Sequence, residues 1–181
     1  MKLHAACTAL ACAAALPASA LADMRLGATL SPYHEVPSVS SVASGSLRLA
    51  VARDQQSIDY TLTFSGLQGD VRQSHIHFAQ KAVNGPIVIW LCQTAFNPAP
   101  ATVPPVPTCP QSGTVVGTIT AASVIASPST QQLPAGALDQ IIGAMLAGSA
   151  YANVHSSISP GGEMRGQIGT GQGSDSQGND D

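Results

Sequence analysis

Charge is scarce in this sequence. Only 9% of its 181 residues are Asp, Glu, Lys or Arg, against roughly 25% in ordinary soluble domains. The seven Lys and Arg are scattered. No basic patch exists to displace counterions from a phosphate backbone, which argues against nucleic acid as a partner. A net charge of −3 supplies no strong steering field. Aromatics stand at 4%. Beyond the N-terminus no apolar run is long enough to span a bilayer. The chain has no internal repeat, no G-x-S-x-G nucleophile elbow and no pair of carboxylates set out for glycoside cleavage. Glycine and proline, by contrast, are plentiful at 17 and 13 residues. Many turns follow, and with them an all-β reading.

Residues 1–22 (MKLHAACTALACAAALPASALA) have the parts of a secretory signal peptide. Lys2 is the positive end, Leu3 to Leu16 the apolar stretch, Pro17 the break, and Ala20-Leu21-Ala22 the cleavage signal. Cys12 also allows a lipoprotein signal, matched less well because the apolar run continues past it. The expectation is export, to the periplasm or the medium, with cleavage before Asp23. Two cysteines then remain, Cys92 and Cys109. In an oxidising compartment they suggest one disulfide, contributing roughly 3 kcal/mol through loop closure. Two free thiols or two soft metal ligands are the other readings.

Hydrophobic periodicity divides the rest. Residues 24–31 read as a first strand. Leu47, Leu49 and Val51 alternate, as do Ile58, Tyr60, Leu62 and Phe64, across a turn at Asp54-Gln55-Gln56, which makes a hairpin. Further strands are expected at 71–78, 87–92, 113–125, 150–155 and 163–168. Residues 93–113 hold six of the prolines and read as an irregular surface loop. Leu138, Ile141, Ile142, Met145 and Leu146 share one helical face, so a helix is expected over about 134–147, with Gly148 at its C-terminal cap. Residues 169–181 are polar and acidic and read as a disordered tail. The fold class is therefore all-β, a two-layer antiparallel Greek-key-like sandwich of about eight strands with one inserted α-helix. Its domain runs over 23–168.

The chemistry-bearing residues are few. His75 and His77 lie at i and i+2 on one strand, so they face the same way, about 6.5–7 Å apart along it. His155 sits on another strand. Three imidazoles suit copper or zinc; the alternative is histidines that only satisfy hydrogen bonds. Glu163 and Arg165 are also i and i+2. They read first as a structural ion pair, and in a sharper reading Arg165 is an anion guide beside a metal. Ser156 and Ser157 follow His155 with no acid placed behind it, which gives no catalytic triad. The role of His34 is left open. These residues point to binding rather than to catalysis.

The order of motifs resembles the CHRD domain, a module named for its repeats in chordin and found also as single exported copies in bacteria. The matching segments are Glu35-Val36-Pro37, Gly45, Gly66-Leu67, Ser74-His75-Ile76-His77 and Gly85-Pro86-Ile87-Val88. The end matches best, through Gly148-Ser149-Ala150-Tyr151-Ala152-Asn153-Val154-His155-Ser156 and Pro160-Gly161-Gly162-Glu163-Met164-Arg165-Gly166-Gln167-Ile168. The resemblance implies a β-sandwich, export, and a non-catalytic binding module with a protein or envelope partner, or a structural or adhesion role. The His-x-His, the later Val-His and the Gly-flanked arginine strand are also similar to the copper site of copper/zinc superoxide dismutases. That similarity implies His75, His77 and His155 as copper ligands and Arg165 as anion guide, in a copper-dependent redox enzyme. The bridging histidine and the zinc-loop cluster of that family have no counterpart here.

Overall fold

The computed structural model describes residues 24–171. The expected leader at 1–22 lies outside them, as do residues 172–181 of the expected tail. Alternation builds two four-stranded antiparallel sheets. The first has the order β1 (Met24–Leu30), β2 (Ser44–Val51), β3 (Ser57–Ser65), β6 (Gly113–Thr120). The second has the order β5 (Ile87–Cys92), β4 (Val71–Phe78), β7 (Ala150–Ser156), β8 (Met164–Gln167). Leu47, Leu49 and Val51 face Leu62, Tyr60 and Ile58 across the hairpin, and all six point into the core between the sheets. Ile76, Ala152, Val154 and Met164 close that core from the second sheet. The Tyr60 hydroxyl donates to the Leu91 carbonyl at 2.6 Å, which ties β3 to β5 across the interior. Burial pushes this phenol up to about 12, so it stays a donor at any physiological pH.

The helix α1 (Leu138–Leu146) is one turn shorter than expected at its start. Gly136 takes φ +81, a conformation that no helix continues through. Leu138, Ile141, Ile142 and Met145 join the core, whereas Leu146 is exposed. The helix stops in a Schellman motif. Ser149 N–H donates to Ala144 O at 2.8 Å and Gly148 N–H to Met145 O at 3.1 Å, with Gly148 at φ +66. Strand β6 ends at Thr120 rather than 125, where a 3-10 turn (Ala121–Ser123) takes over and Ser123 Oγ accepts the Thr120 N–H. Gly169, expected in the tail, is instead paired, exchanging two 3.0 Å hydrogen bonds with Gly27.

One feature of the topology positions the site. The chain leaving β1 crosses to the second sheet, where Ser31 pairs with Arg165 of β8. A 3-10 turn (Pro32–His34) follows, with Glu35 as its C-cap. This places Glu35 over the outer face of the second sheet.

Candidate metal centre

Strand geometry puts His75 and His77 of β4 on one face with Tyr151, Asn153 and His155 of β7. The register pairs His75 with Asn153 and His77 with Tyr151, and Asn153 in turn with Arg165 of β8. This is the outer face of the sheet, and it is nonetheless buried: all seven residues of β7 are. Loops supply the cover. Gly85 reaches in from the β4–β5 loop, Pro160 from the β7–β8 loop and Glu35 from the β1–β2 loop.

His75, His77 and His155 each offer a ring nitrogen, and these nitrogens lie within 4.8 Å of one another. His77 Nδ1 stands 2.9 Å from Gly85 O, and His155 Nδ1 stands 2.9 Å from Pro160 O. A carbonyl only accepts, so both Nδ1 atoms carry the proton and both Nε2 atoms present a bare lone pair. His75 Nδ1 lies 3.2 Å from His155 Nε2, and His75 Nε2 is buried without a hydrogen-bond partner. Burial first, then the neighbouring histidines, pushes His75 down to about 2. Burial likewise takes His155 to about 4 and lowers His77, against the opposing carbonyl hydrogen bonds. All three are neutral at pH 7, the state in which imidazole binds metal.

Aromatic rings brace the cluster. Tyr151 stacks on His77 at 4.7 Å between centroids, and Trp90 meets His75 edge to face at 4.3 Å. The Arg165 guanidinium carbon lies 4.2 Å from the centroid of the Tyr151 ring. Arg165 donates from Nε to Glu35 Oε2 at 2.7 Å and from Nη2 to Asn84 Oδ1 at 2.5 Å.

The expected Glu163–Arg165 ion pair is therefore corrected: the carboxylate facing Arg165 is that of Glu35. The same-face rule at i and i+2 holds only inside a strand. Glu163 precedes β8, at a bend after Gly162 with φ +125. Its carboxylate turns the other way and accepts from Ser41 Oγ at 2.6 Å and from Gln68 N–H at 2.8 Å. Burial pushes this carboxyl up, but hydrogen bonds from Ser156, Ser41, Gln68 and Gly69 outweigh it and hold the group below its usual range. Cys92 and Cys109 form a disulfide, with Cα atoms 5.0 Å apart. His34 is exposed and stands away from the other three histidines, lining a cavity of about 510 Å³ with Tyr33, Lys81 and Gln167.

Sequence reasoning missed Asn153, Glu35, Tyr151 and Trp90 as parts of the site. Asn153 carried a usable signal, since it is i−2 from His155 on the same strand. Glu35 carried none beyond its place in the Glu-Val-Pro motif, because its contact with Arg165 spans 130 residues.

The family model of the CHRD domain matches residues 26–168. No curated protein and no solved structure matches the chain.

Proposed function

The chain belongs to the CHRD domain family, and from that premise we propose that it is an exported binding module whose histidine face holds one copper or zinc ion through His75, His77 and His155. The observation that carries the reading is the pair of fixed tautomers. Gly85 O and Pro160 O take the Nδ1 protons of His77 and His155, and the two Nε2 lone pairs then turn toward one another and toward His75. Backbone carbonyls behind ligating imidazoles are the usual support of a metal site, because they set ring orientation and raise basicity. A bound copper ion would bring one-electron chemistry, and zinc a Lewis acid. The chain's own part is to supply three neutral donors in a dry pocket. Export is supported by the leader-like residues 1–22 and by the disulfide, which belongs to oxidising compartments.

A copper-dependent dismutase-like activity has less support. It needs a cationic group free to draw in an anion, and Arg165 is already neutralised by Glu35 at 2.6 Å. A purely structural or adhesion module would leave the converging lone pairs without a purpose. The test is metal stoichiometry. The protein loaded separately with Cu(II) and Zn(II) should retain one equivalent through desalting, and the His75→Ala/His77→Ala variant should retain none. Failure of the wild-type protein to hold either ion would remove the metal reading and leave a binding module whose partner must be sought directly.

A further inference from the structure

Asn153 lies at the centre of the cluster and is fully buried. Its Oδ1 is 3.1 Å from His77 Nε2 and 3.0 Å from His155 Nε2. Both of those nitrogens are lone pairs, since their rings donate from Nδ1 to backbone carbonyls. An amide oxygen thus faces two bare nitrogens with no proton between them. Three acceptors pressed together in a dry pocket repel one another, and the ring that could donate among them, His75 through Nδ1, is bonded to His155 Nε2 alone, at 3.2 Å, which leaves His77 Nε2 facing the amide oxygen.

The amide has an apparent escape. Turned over, its NH2 group would serve both Nε2 atoms. The far side of the amide opposes this. Asn153 Nδ2 and Glu35 Oε1 both border the space that a Cβ on Gly162 would fill, and neither has a hydrogen-bond partner. Turning the amide would set Oδ1 toward the buried Oε1 of a carboxylate whose other oxygen is held by Arg165. The negative charge of that carboxylate therefore favours the NH2 side toward Glu35 and the oxygen toward the imidazoles.

Resting on the three-imidazole reading, we infer that Asn153 Oδ1 is the fourth ligand, so that the chain closes the coordination sphere by itself and leaves no position for a substrate. The spacings suit this. Four ligand atoms at bonds of about 2.0–2.1 Å around a tetrahedral centre stand roughly 3.3 Å apart. Three of the six separations are 3.0, 3.1 and 3.2 Å, and the three ring nitrogens all lie within 4.8 Å of one another. Three neutral imidazoles and one neutral oxygen suit Zn(II) or Cu(II). Soft Cu(I) favours sulfur, and the two cysteines of the domain are tied up in their disulfide. Glu35 has a second service here, since it cancels the positive charge of Arg165 that would otherwise oppose a cation close by. Asn153 is thus a holding residue, and Glu35 positions it.

The experiment uses the full protein loaded with one equivalent of Cu(II), with azide as a probe of an open coordination position. Electron paramagnetic resonance and visible absorption are read before and after azide. The wild-type spectra should not change. Asn153→Ala should bind Cu(II) at least about tenfold more weakly and should respond to azide. Asn153→Asp keeps an oxygen in place and should restore tight binding and azide silence. An azide response in the wild-type protein overturns the inference. So does an Asn153→Ala variant with wild-type affinity and silence. In either case retained copper, lost in His75→Ala/His77→Ala, leaves the three-imidazole reading standing. A wild-type protein that holds no copper removes both. Should Asn153→Ala fail to fold, the wild-type azide result and Asn153→Asp still decide.

Discussion

Arg165 is held on every side. Glu35 Oε2 takes its Nε and Nη2, Asn84 Oδ1 and Val83 O take further N–H groups, and the Tyr151 ring covers its face. Removing one partner of a buried pair leaves the other charge desolvated and alone, which costs about 3–5 kcal/mol. Glu35→Ala should therefore lose that much stability in urea unfolding, far more than an exposed carboxylate would. Glu163 makes a different prediction. Its carboxyl sits below the ordinary 4.5 when folded, so on acidification the unfolded chain takes up this proton first. The resulting stability is complete above 4.5 and is lost as pH falls through the folded value. Glu163→Gln should be less stable than the wild type at pH 7, and the gap should narrow on going down to pH 3, as read from denaturation midpoints. These two carboxylates also mark the limit of what could be read ahead of the structure. The histidine pair was legible because period 2 is a property of any strand. The partner of Arg165 was not, because the bend at Gly162 turns Glu163 away and the crossing of β1 brings in Glu35 from far along the chain.

Among the elements, the Pro-rich excursion between β5 and β6 is irregular yet fastened at several points. Beside the disulfide, Gln93 N–H donates to Pro107 O at 2.9 Å and Cys109 N–H to Gln93 O at 2.8 Å. The Gln93 side chain donates to Val106 O and accepts from Ala99 N–H. The stretch from Val103 to Pro107 lies beside Trp90 and beside Gly117 to Ile119 of β6. Since β6 ends its sheet, the pocket between this segment and β6 lies at that sheet's edge. The variant Cys92→Ser/Cys109→Ser should lose about 2–5 kcal/mol and should aggregate sooner on heating, measured by calorimetry and light scattering. Proline composition announced an irregular loop here; that the loop comes to the edge of a sheet depended on the sheet order, which local patterns do not state. Strands β2 and β3 were legible residue by residue, because each has one face in the core and the other in water. Strand β7 was harder to interpret. Both of its faces are buried, one apolar and one polar, and only the polar one carries the site.

For the molecule as a whole, the sandwich keeps its apolar core between the sheets and builds a second, polar interior under loops on one outer face. The chain has a single tryptophan, and it touches that second interior at His75. Cu(II), with its unpaired electron, should quench Trp90 fluorescence in proportion to occupancy and saturate at one equivalent, whereas Zn(II) should leave the intensity nearly unchanged. A titration of the wild type against His75→Ala/His77→Ala checks this. The loops over the histidines have one more effect, on time rather than on energy. Gly85, Pro160 and Glu35 are anchored to the same residues they cover. An ion held there, as proposed, would have to leave past those anchored loops. Release would then be paced by loop opening and not by the strength of the metal bonds, so the protein would exchange its ion slowly even against a strong chelator, and a measurement made in minutes would differ from one made in days.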